Sequence, residues 1–566
     1  MELPDYIKNR YWKDYLAPGI TVDLEFPEDM TFIDVFERGQ KEFPDKICMD
    51  FYGIEFTFKE LNILTRRFAA GLVDLGAKKG DVVALWLPNC PHFGITYFGS
   101  LYVGATMTAI SPLFVARELA YQLQDSGAKY LIIIDRFIKQ YQKVADNLLL
   151  EKVIVVNIEG KIPEVPEDDK IIHYNTLMEK HAEPLSDYNV DINPKEDIAV
   201  IQYTGGTTGL PKGACLSHYN IVSMIHAIEQ FVLYLKEHYL KEDVAGLSVL
   251  PWYHIYGQVC ELAMGPMVGG KAYVLPTFDI PKIAEIIKEH KPNMLLGVPT
   301  MFINLLNSPH IVDVDISCLK YSNVGAGALP SELAKEWEKR TGFQMAEGYG
   351  LSETSVAAIM SPPWGKKKYG STGHPFANTL VGVIDENLNF LPIGDPGELV
   401  ISGPQVMVRY HNRPEETKNV FFEAGGYRWL RTGDYAKMDD EGYTFILDRI
   451  KDMIKYKGHS VYPREIEEVL HEHPAIQECS VIGVKDPVKG EDIKAFVLLK
   501  KEYKGKVSEQ DIIEFGKENL AAYKYPREVE FVRNFPKSAV GKVLRRSLRE
   551  KEEKRKEKKI LSVETK

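Results

Sequence analysis

The sequence predicts an α/β fold: a large N-terminal domain of α/β sheets plus a barrel-like subdomain, followed by a small C-terminal α+β domain. Three features of the 566-residue chain carry that reading. Between about Met30 and Ile446, short apolar runs alternate with helical periodicity. Beyond Val381 the apolar runs come closer together and are separated by Gly/Pro turns, the pattern of an antiparallel or barrel-like sheet. Asp448-Arg449-Ile450-Lys451-Asp452 is a charged stretch between two apolar ones, and it divides the chain into domains at 1–448 and 449–566.

The runs at 82–87, 130–134, 198–203 and 294–298 are short and largely apolar, with the character of buried strands. Leu61, Leu64, Phe68 and Leu72 recur at helical spacing, so a helix covers the sheet there. The stretches 381–384 and 398–401 are the expected strands of the antiparallel unit. Past the boundary, Pro463 opens a helix. Glu465 and Glu467 lie in its first turns, where the helix dipole favours carboxylates, and Ile466, Val469 and Leu470 share one face. Strands at 479–484 and 495–499 complete the α+β unit.

Hydrophobic residues make up 45% of the chain and charged residues 26%, the balance of a globular enzyme. A net charge of -11 argues against nucleic-acid binding. The six cysteines are scattered without a CxxC pair, which implies a reducing compartment and neither a zinc site nor a disulfide frame. Residues 1–16 are charged and aromatic, and no apolar run approaches the length that crosses a bilayer, so a cytoplasmic location is expected. The basic run at 545–559 is interleaved with glutamates. It reads as a solvated, frayed helix, or in the sharper alternative as a peripheral membrane contact with anionic lipid. Nothing in the sequence reports an interface, and monomer and homodimer both stay open.

The most informative segment is Tyr203-Thr204-Gly205-Gly206-Thr207-Thr208-Gly209-Leu210-Pro211-Lys212-Gly213, directly after an apolar run. Its glycines let backbone N–H groups approach phosphate oxygens, its threonine hydroxyls add donors, and Lys212 adds positive charge. The implied ligand is a nucleoside triphosphate. A Walker A loop is excluded, because Leu210 and Pro211 intervene before Lys212, and Gly213 stands where Ser or Thr is needed. Further along, Tyr349-Gly350-Leu351-Ser352-Glu353-Thr354 offers a carboxylate in a Gly/Ser/Thr turn, suited to a hard cation such as Mg²⁺ that bridges phosphates. In Thr432-Gly433-Asp434 the aspartate is acceptor-only and matches a pair of ribose hydroxyls. Lys542, within Pro536-Lys537-Ser538-Ala539-Val540-Gly541-Lys542, sits in a glycine turn near the C-terminus.

Taken in order, these motifs resemble the adenylate-forming superfamily of acyl-CoA synthetases, luciferases and peptide-synthetase adenylation domains. The YTGGTTG form, with Ser111-Pro112-Leu113-Phe114 and Asp125-Ser126-Gly127-Ala128, is most similar to prokaryotic medium- and long-chain fatty acyl-CoA ligases. The resemblance implies an AMP-forming enzyme that uses ATP, Mg²⁺ and coenzyme A on a small-molecule carboxylic acid. A medium- or long-chain fatty acid is the first expectation, with short, hydroxy or aryl acids as the alternative.

By the same resemblance, Lys542, His254, Glu353 and Thr204 are catalytic, and Glu353 and Thr204 hold the metal. Nucleotide contacts fall on Thr204, Gly205, Gly206, Thr207, Thr208, Gly209, Lys212, Gly325, Ala326, Gly327, Glu347, Gly348, Tyr349, Gly350, Ser352, Asp434, Arg449 and Lys542. Lys451 is the hinge of a mobile C-terminal domain. Lys457, Gly458 and His459 meet CoA. Tyr253, His254, Tyr256, Gly257, Val298 and Thr300 line the acyl pocket, with His254 on the carboxylate or the attacked carbonyl. A polar Gln258 stands where one type of long-chain relative has a tryptophan gate nearby.

Overall fold

The computed structural model describes residues 2–161, 165, 168–185, 190–204, 210–457, 459–486, 489–538 and 541–564, with side chains of the last helix described to Arg555. Gly205, Gly206, Thr207, Thr208, Gly209 and Gly458 therefore lie outside the described residues. Among the described residues the chain forms four sheets.

The first sheet runs in the order Arg409–Tyr410, Lys212–Ser217, Ile198–Thr204, Thr106–Ala109, Val82–Trp86, Ala128–Ile134, Lys152–Val156, Ile171–His173. Its pairs from Ile198–Thr204 onward are parallel. Val82–Trp86 is buried along its whole length, as its unbroken apolar sequence requires. The second sheet carries Met294–Gly297, Tyr321–Val324 and Ala346–Tyr349 side by side and parallel. Helices fill the space between the two sheets. The helix Phe58–Asp74 is started by a capping box of Thr57 and Glu60 and buries Leu61, Phe68 and Leu72. One apolar cluster joins Phe68, Leu85, Phe98, Ile225, Trp252 and Leu296.

The strands Leu380–Ile384 and Gly397–Ser402 pair antiparallel in a third sheet with Tyr427–Met438, as their spacing predicts. The fourth sheet, between Ile454 and Phe531, has its own core of Ile454, Ile466, Leu470, Val481, Ile493 and Val497. Pro463 does open a helix, Pro463–His471, which buries Ile466 and Leu470.

One element goes beyond the sequence reading, and one expectation changes. Lys212–Ser217 is a strand antiparallel to Ile198–Thr204, so the Gly/Thr loop joins the two arms of a hairpin before Ser217 caps the helix His218–His238. The basic run forms the helix Arg545–Glu564, but one side of its first turns is buried against the C-terminal unit. Leu548 is 2% exposed among Ile482, Val484, Phe496 and Phe535. Arg545 pairs with Asp448 at 2.7 Å and Glu467 at 2.6 Å, and Arg549 with Asp452 at 2.8 Å. Internal carboxylates therefore hold Arg545 and Arg549, while Arg546 stays exposed and pairs with Glu550 of its own helix. No described helix is long and apolar enough to cross a membrane.

Candidate active site

In an open α/β sheet, ligands gather beyond the carboxyl ends of the parallel strands. Thr204 is the last residue of Ile198–Thr204; Val298 follows Met294–Gly297; Gly325-Ala326-Gly327 follows Tyr321–Val324; and Glu347, Gly348 and Tyr349 end their own strand. Close packing keeps side chains off this ledge. A Cβ on Gly325 would lie 3.1 Å from the Tyr256 ring, and one on Gly350 would lie 2.1 Å from the Val356 carbonyl oxygen. Ala326 takes φ +60°, which turns the backbone at the strand end.

Ser352–Thr354 is a single 3-10 turn, and Glu353 on it is held from two sides. Its carbonyl accepts the Met407 N–H at 2.7 Å, and its carboxylate Oε1 accepts the Tyr410 hydroxyl proton at 2.7 Å. Burial and the Glu353 charge push the Tyr410 phenol far up, so it remains a donor. The Lys212 ammonium lies 5.3 Å from the centroid of the Tyr410 ring, so one aromatic side chain spans the end of the phosphate-type loop and the acidic turn. The Thr204 hydroxyl faces the Lys212 carbonyl at 3.5 Å across the hairpin. Ser352 is buried beside Glu353.

A second group forms around Asp434, which is 4% exposed. Its Oδ2 accepts the Tyr349 hydroxyl proton at 2.6 Å, and its Oδ1 lies 3.2 Å from Arg449 Nε. Lys542 joins them. Residues 536–538 and 541–544 pair with each other through Leu544 N–H to the Pro536 carbonyl at 2.8 Å and Ser538 N–H to the Lys542 carbonyl at 2.7 Å. The Thr300 hydroxyl meets the Gly541 carbonyl at 3.4 Å, which brings this C-terminal loop to the strand ends. Gly541 takes φ +79°, and a Cβ there would lie 3.0 Å from Thr300 Oγ1. The Lys542 side chain still meets solvent. The protein crowded around it, and after that the Arg449 charge, push its ammonium pKa down to about 8, with Asp434 opposing.

Glu347 turns away from this group. Its Oε1 accepts the Leu329 N–H at 3.3 Å and lies 3.5 Å from Arg464 Nη2. Burial raises its carboxyl to about 7, with Arg464 pulling it back.

The aromatic segment is built from the inside. His254 Nδ1 accepts the Tyr256 N–H at 3.2 Å, which leaves Nε2 as the protonated nitrogen of a neutral ring. Burial pushes the His254 pKa down to about 4, so the ring stays neutral. The Tyr256 hydroxyl donates to Asn323 Oδ1, and a Cβ on Gly257 would lie 2.5 Å from the Pro251 carbonyl oxygen. Gln258, 0% exposed, accepts from the Tyr97 hydroxyl at 3.0 Å and donates to Gln202 Oε1 at 3.3 Å. Behind it, Glu261 accepts from Ser248 Oγ at 2.6 Å and from the Leu250 N–H at 3.1 Å, and so holds the turn that carries Trp252 and Tyr253. Val298 is 3% exposed, and Tyr253 is partly buried against the same apolar cluster.

Lys451 is exposed at the charged boundary. Lys457 and His459 sit on an exposed hairpin whose contacts are within the C-terminal unit: Lys457 N–H to the Lys489 carbonyl at 2.8 Å, and the His459 ring stacked on Tyr523 at 4.6 Å. The described structure thus brings Asp434, Arg449 and Tyr349 together with Lys542 in their electrostatic field, while the contacts given for Lys457 and His459 stay within their own unit. Tyr410, Asn323, Glu261 and Arg464 escape sequence reasoning. Only two carried a signal: Arg464 is a cation in the first turn of a helix, against its dipole, and Glu261 is a lone acid in an apolar run.

Residues 36–411 match the family of AMP-binding enzymes, and residues 465–542 match the AMP-binding enzyme C-terminal domain. The chain belongs to the AMP-binding enzyme family, the adenylate-forming acyl-CoA synthetases. It is 37% identical over 560 residues to a long-chain-fatty-acid--CoA ligase of Bacillus subtilis (strain 168), covering 96% of this chain and 98% of that one. Among solved structures, the anthranilate CoA ligase AuaEII in complex with anthranoyl-AMP superposes with a TM-score of 0.83 at 26% identity, over 93% of this chain and 98% of that chain. ATP-bound MatB from Rhodopseudomonas palustris superposes with a TM-score of 0.81 at 28% identity, over 92% and 99%.

Proposed function

We propose that the protein joins a medium- or long-chain fatty acid to coenzyme A through an acyl-adenylate. The observation that carries this reading is the docking of the Lys542 loop, through Gly541 on Thr300, at the strand ends, beside the Tyr349–Asp434–Arg449 group whose charges act on Lys542. The full-length likeness to a bacterial long-chain ligase supports the choice of acid.

In the first half reaction a carboxylate oxygen of the acid attacks the α-phosphorus of ATP. The α–β phosphoanhydride bond breaks, pyrophosphate leaves, and acyl-AMP forms. Two anions must approach, and the Lys542 ammonium between them offsets their repulsion and stabilises the charge that builds. Asp434 takes the ribose hydroxyls, Tyr349 and the Gly325-Ala326-Gly327 ledge border the adenine, and the loop from Thr204 to Lys212 holds the phosphates. His254, neutral and protonated at Nε2, donates to the acid's oxygen. In the second half reaction the CoA sulfur attacks the acyl carbonyl, the C–O bond to phosphate breaks, and AMP leaves with the carboxylate oxygen.

The donors around Glu353 fit Mg²⁺: one carboxylate and the Thr204 hydroxyl, all hard oxygen, suit a cation borne largely by phosphate oxygens. Among the described residues no group of three or more His, Cys, Asp or Glu gathers as a self-sufficient metal cage. When bound, the cation would neutralise phosphate charge. We assign the catalytic split to a domain boundary at 448/449, with Lys451 as the hinge about which the C-terminal domain turns. The turn withdraws Lys542 and carries Lys457, Gly458 and His459 to CoA.

The test of the acid is thioester formation across acetate, hydroxybutyrate, octanoate, palmitate and an aryl acid. The reading expects kcat/KM to peak at octanoate or longer, and a peak at a short, hydroxy or aryl acid would refute it.

A further inference from the structure

The helix Ser331–Thr341 begins with an unmet need. Its N-cap is Pro330, which has no side-chain acceptor to offer, and none of its own residues caps it. The first N–H groups of any helix require an acceptor, and the positive end of the dipole favours a carboxylate. Here the carboxylate comes from beyond the charged boundary, 137 residues away: Glu468 Oε1 accepts the Ser331 N–H at 3.0 Å and the Ser331 hydroxyl proton at 2.6 Å.

Glu468 does not act alone. It lies one turn beyond Arg464 on the helix Pro463–His471, so the two side chains share a face. Arg464 crosses the same boundary, donating to the Ile446 carbonyl at 2.6 Å and lying 3.5 Å from Glu347, two residues before Tyr349 on the same strand. The Ile466–Leu470 side of that helix faces its own core, so the Arg464–Glu468 side is free to serve the rest of the chain.

We infer that Glu468 is a positioning residue for adenylation: by capping the helix Ser331–Thr341 it holds the C-terminal unit in the orientation that presents Lys542 to the strand ends. This rests on the reading in which the unit takes a second orientation for thioester formation, where the cap is broken. A charge-assisted bond made in one orientation only biases the two orientations against each other, and so biases the two half reactions. Glu468 touches no substrate, so its loss leaves the chemistry of each step intact.

The experiment measures both half reactions in the full-length protein: acyl-adenylate formation in a single turnover, and thioester formation from supplied acyl-adenylate. In Glu468→Ala the ratio of the first rate to the second is expected to fall by roughly tenfold, with the second rate undiminished. Glu468→Gln keeps one acceptor oxygen and is expected to recover part of the ratio. Ser331→Ala loses the hydroxyl but not the N–H, so its effect is smaller, and it adds nothing to Glu468→Ala. An unchanged ratio, or equal loss of both steps, overturns the inference. Lys542→Ala, run alongside, separates the two levels. If it abolishes adenylation and spares thioester formation while Glu468→Ala leaves the ratio alone, the cap alone is wrong. If Lys542→Ala damages both steps equally, the two-orientation reading beneath it falls as well.

Discussion

Tyr410→Phe isolates one atom of the site. The phenol oxygen donates to Glu353 Oε1 at 2.7 Å, and that bond disappears while the ring that faces Lys212 at 5.3 Å stays. A hydrogen bond to a charged group contributes about 1.5–3 kcal/mol, and outer partners of metal-binding carboxylates typically cost about 10–100-fold in metal affinity when removed. Part of that loss returns because the backbone bond from Met407 still fixes the turn, so the expected rise in half-saturating Mg²⁺ is about tenfold. The assay is acid-dependent exchange of pyrophosphate into ATP across a Mg²⁺ titration, with calorimetric binding of ATP at each Mg²⁺ level as a second readout. KM for the acid is expected to stay level, because Tyr410 lies on the phosphate side. An unchanged Mg²⁺ requirement with lowered thermal stability would refute the reasoning and leave Tyr410 as a packing residue.

Two further outcomes follow from the geometry. In the proposed reaction adenylation needs Lys542 as the cation, and its pKa is depressed to about 8, so kcat/KM is expected to be full below that pH and to fall as pH rises through it; Lys542→Arg, which does not titrate there, is expected to flatten the limb, and a wild-type profile flat to well above pH 9 would contradict this. Leu548→Ala is expected to destabilise the C-terminal unit by about 2–5 kcal/mol in chemical denaturation, as for a buried leucine; a change under about 0.5 kcal/mol would restore the solvated helix read from the charge pattern.

What the sequence made legible was local. The Gly/Thr loop, Glu353, Asp434 and Lys542 each lie in a short segment whose chemistry declares itself, and the strand before the Gly/Thr loop is a largely apolar run. What stayed hidden was set by distance along the chain. Tyr410 meets Glu353 across 57 residues and Arg464 meets Glu347 across 117, and no periodicity encodes either pairing. The strand Lys212–Ser217 was masked by its own composition, since Lys-Gly-Ala-Cys-Leu-Ser carries little strand propensity and owes its form to pairing with Ile198–Thr204. The helix after Arg545 misled for a related reason: one leucine among charges looks solvated until the carboxylates of Asp448, Glu467 and Asp452 are seen waiting for its arginines.

The central claim is that the acid attacks the α-phosphorus of ATP. Palmitate labelled with ¹⁸O in both carboxylate oxygens, incubated with the enzyme, ATP, Mg²⁺ and coenzyme A, tests it directly by mass spectrometry of the products. The account predicts one labelled oxygen in AMP, one in the thioester carbonyl and none in pyrophosphate. Label in inorganic phosphate with ADP as the nucleotide product, or AMP free of label, would contradict it.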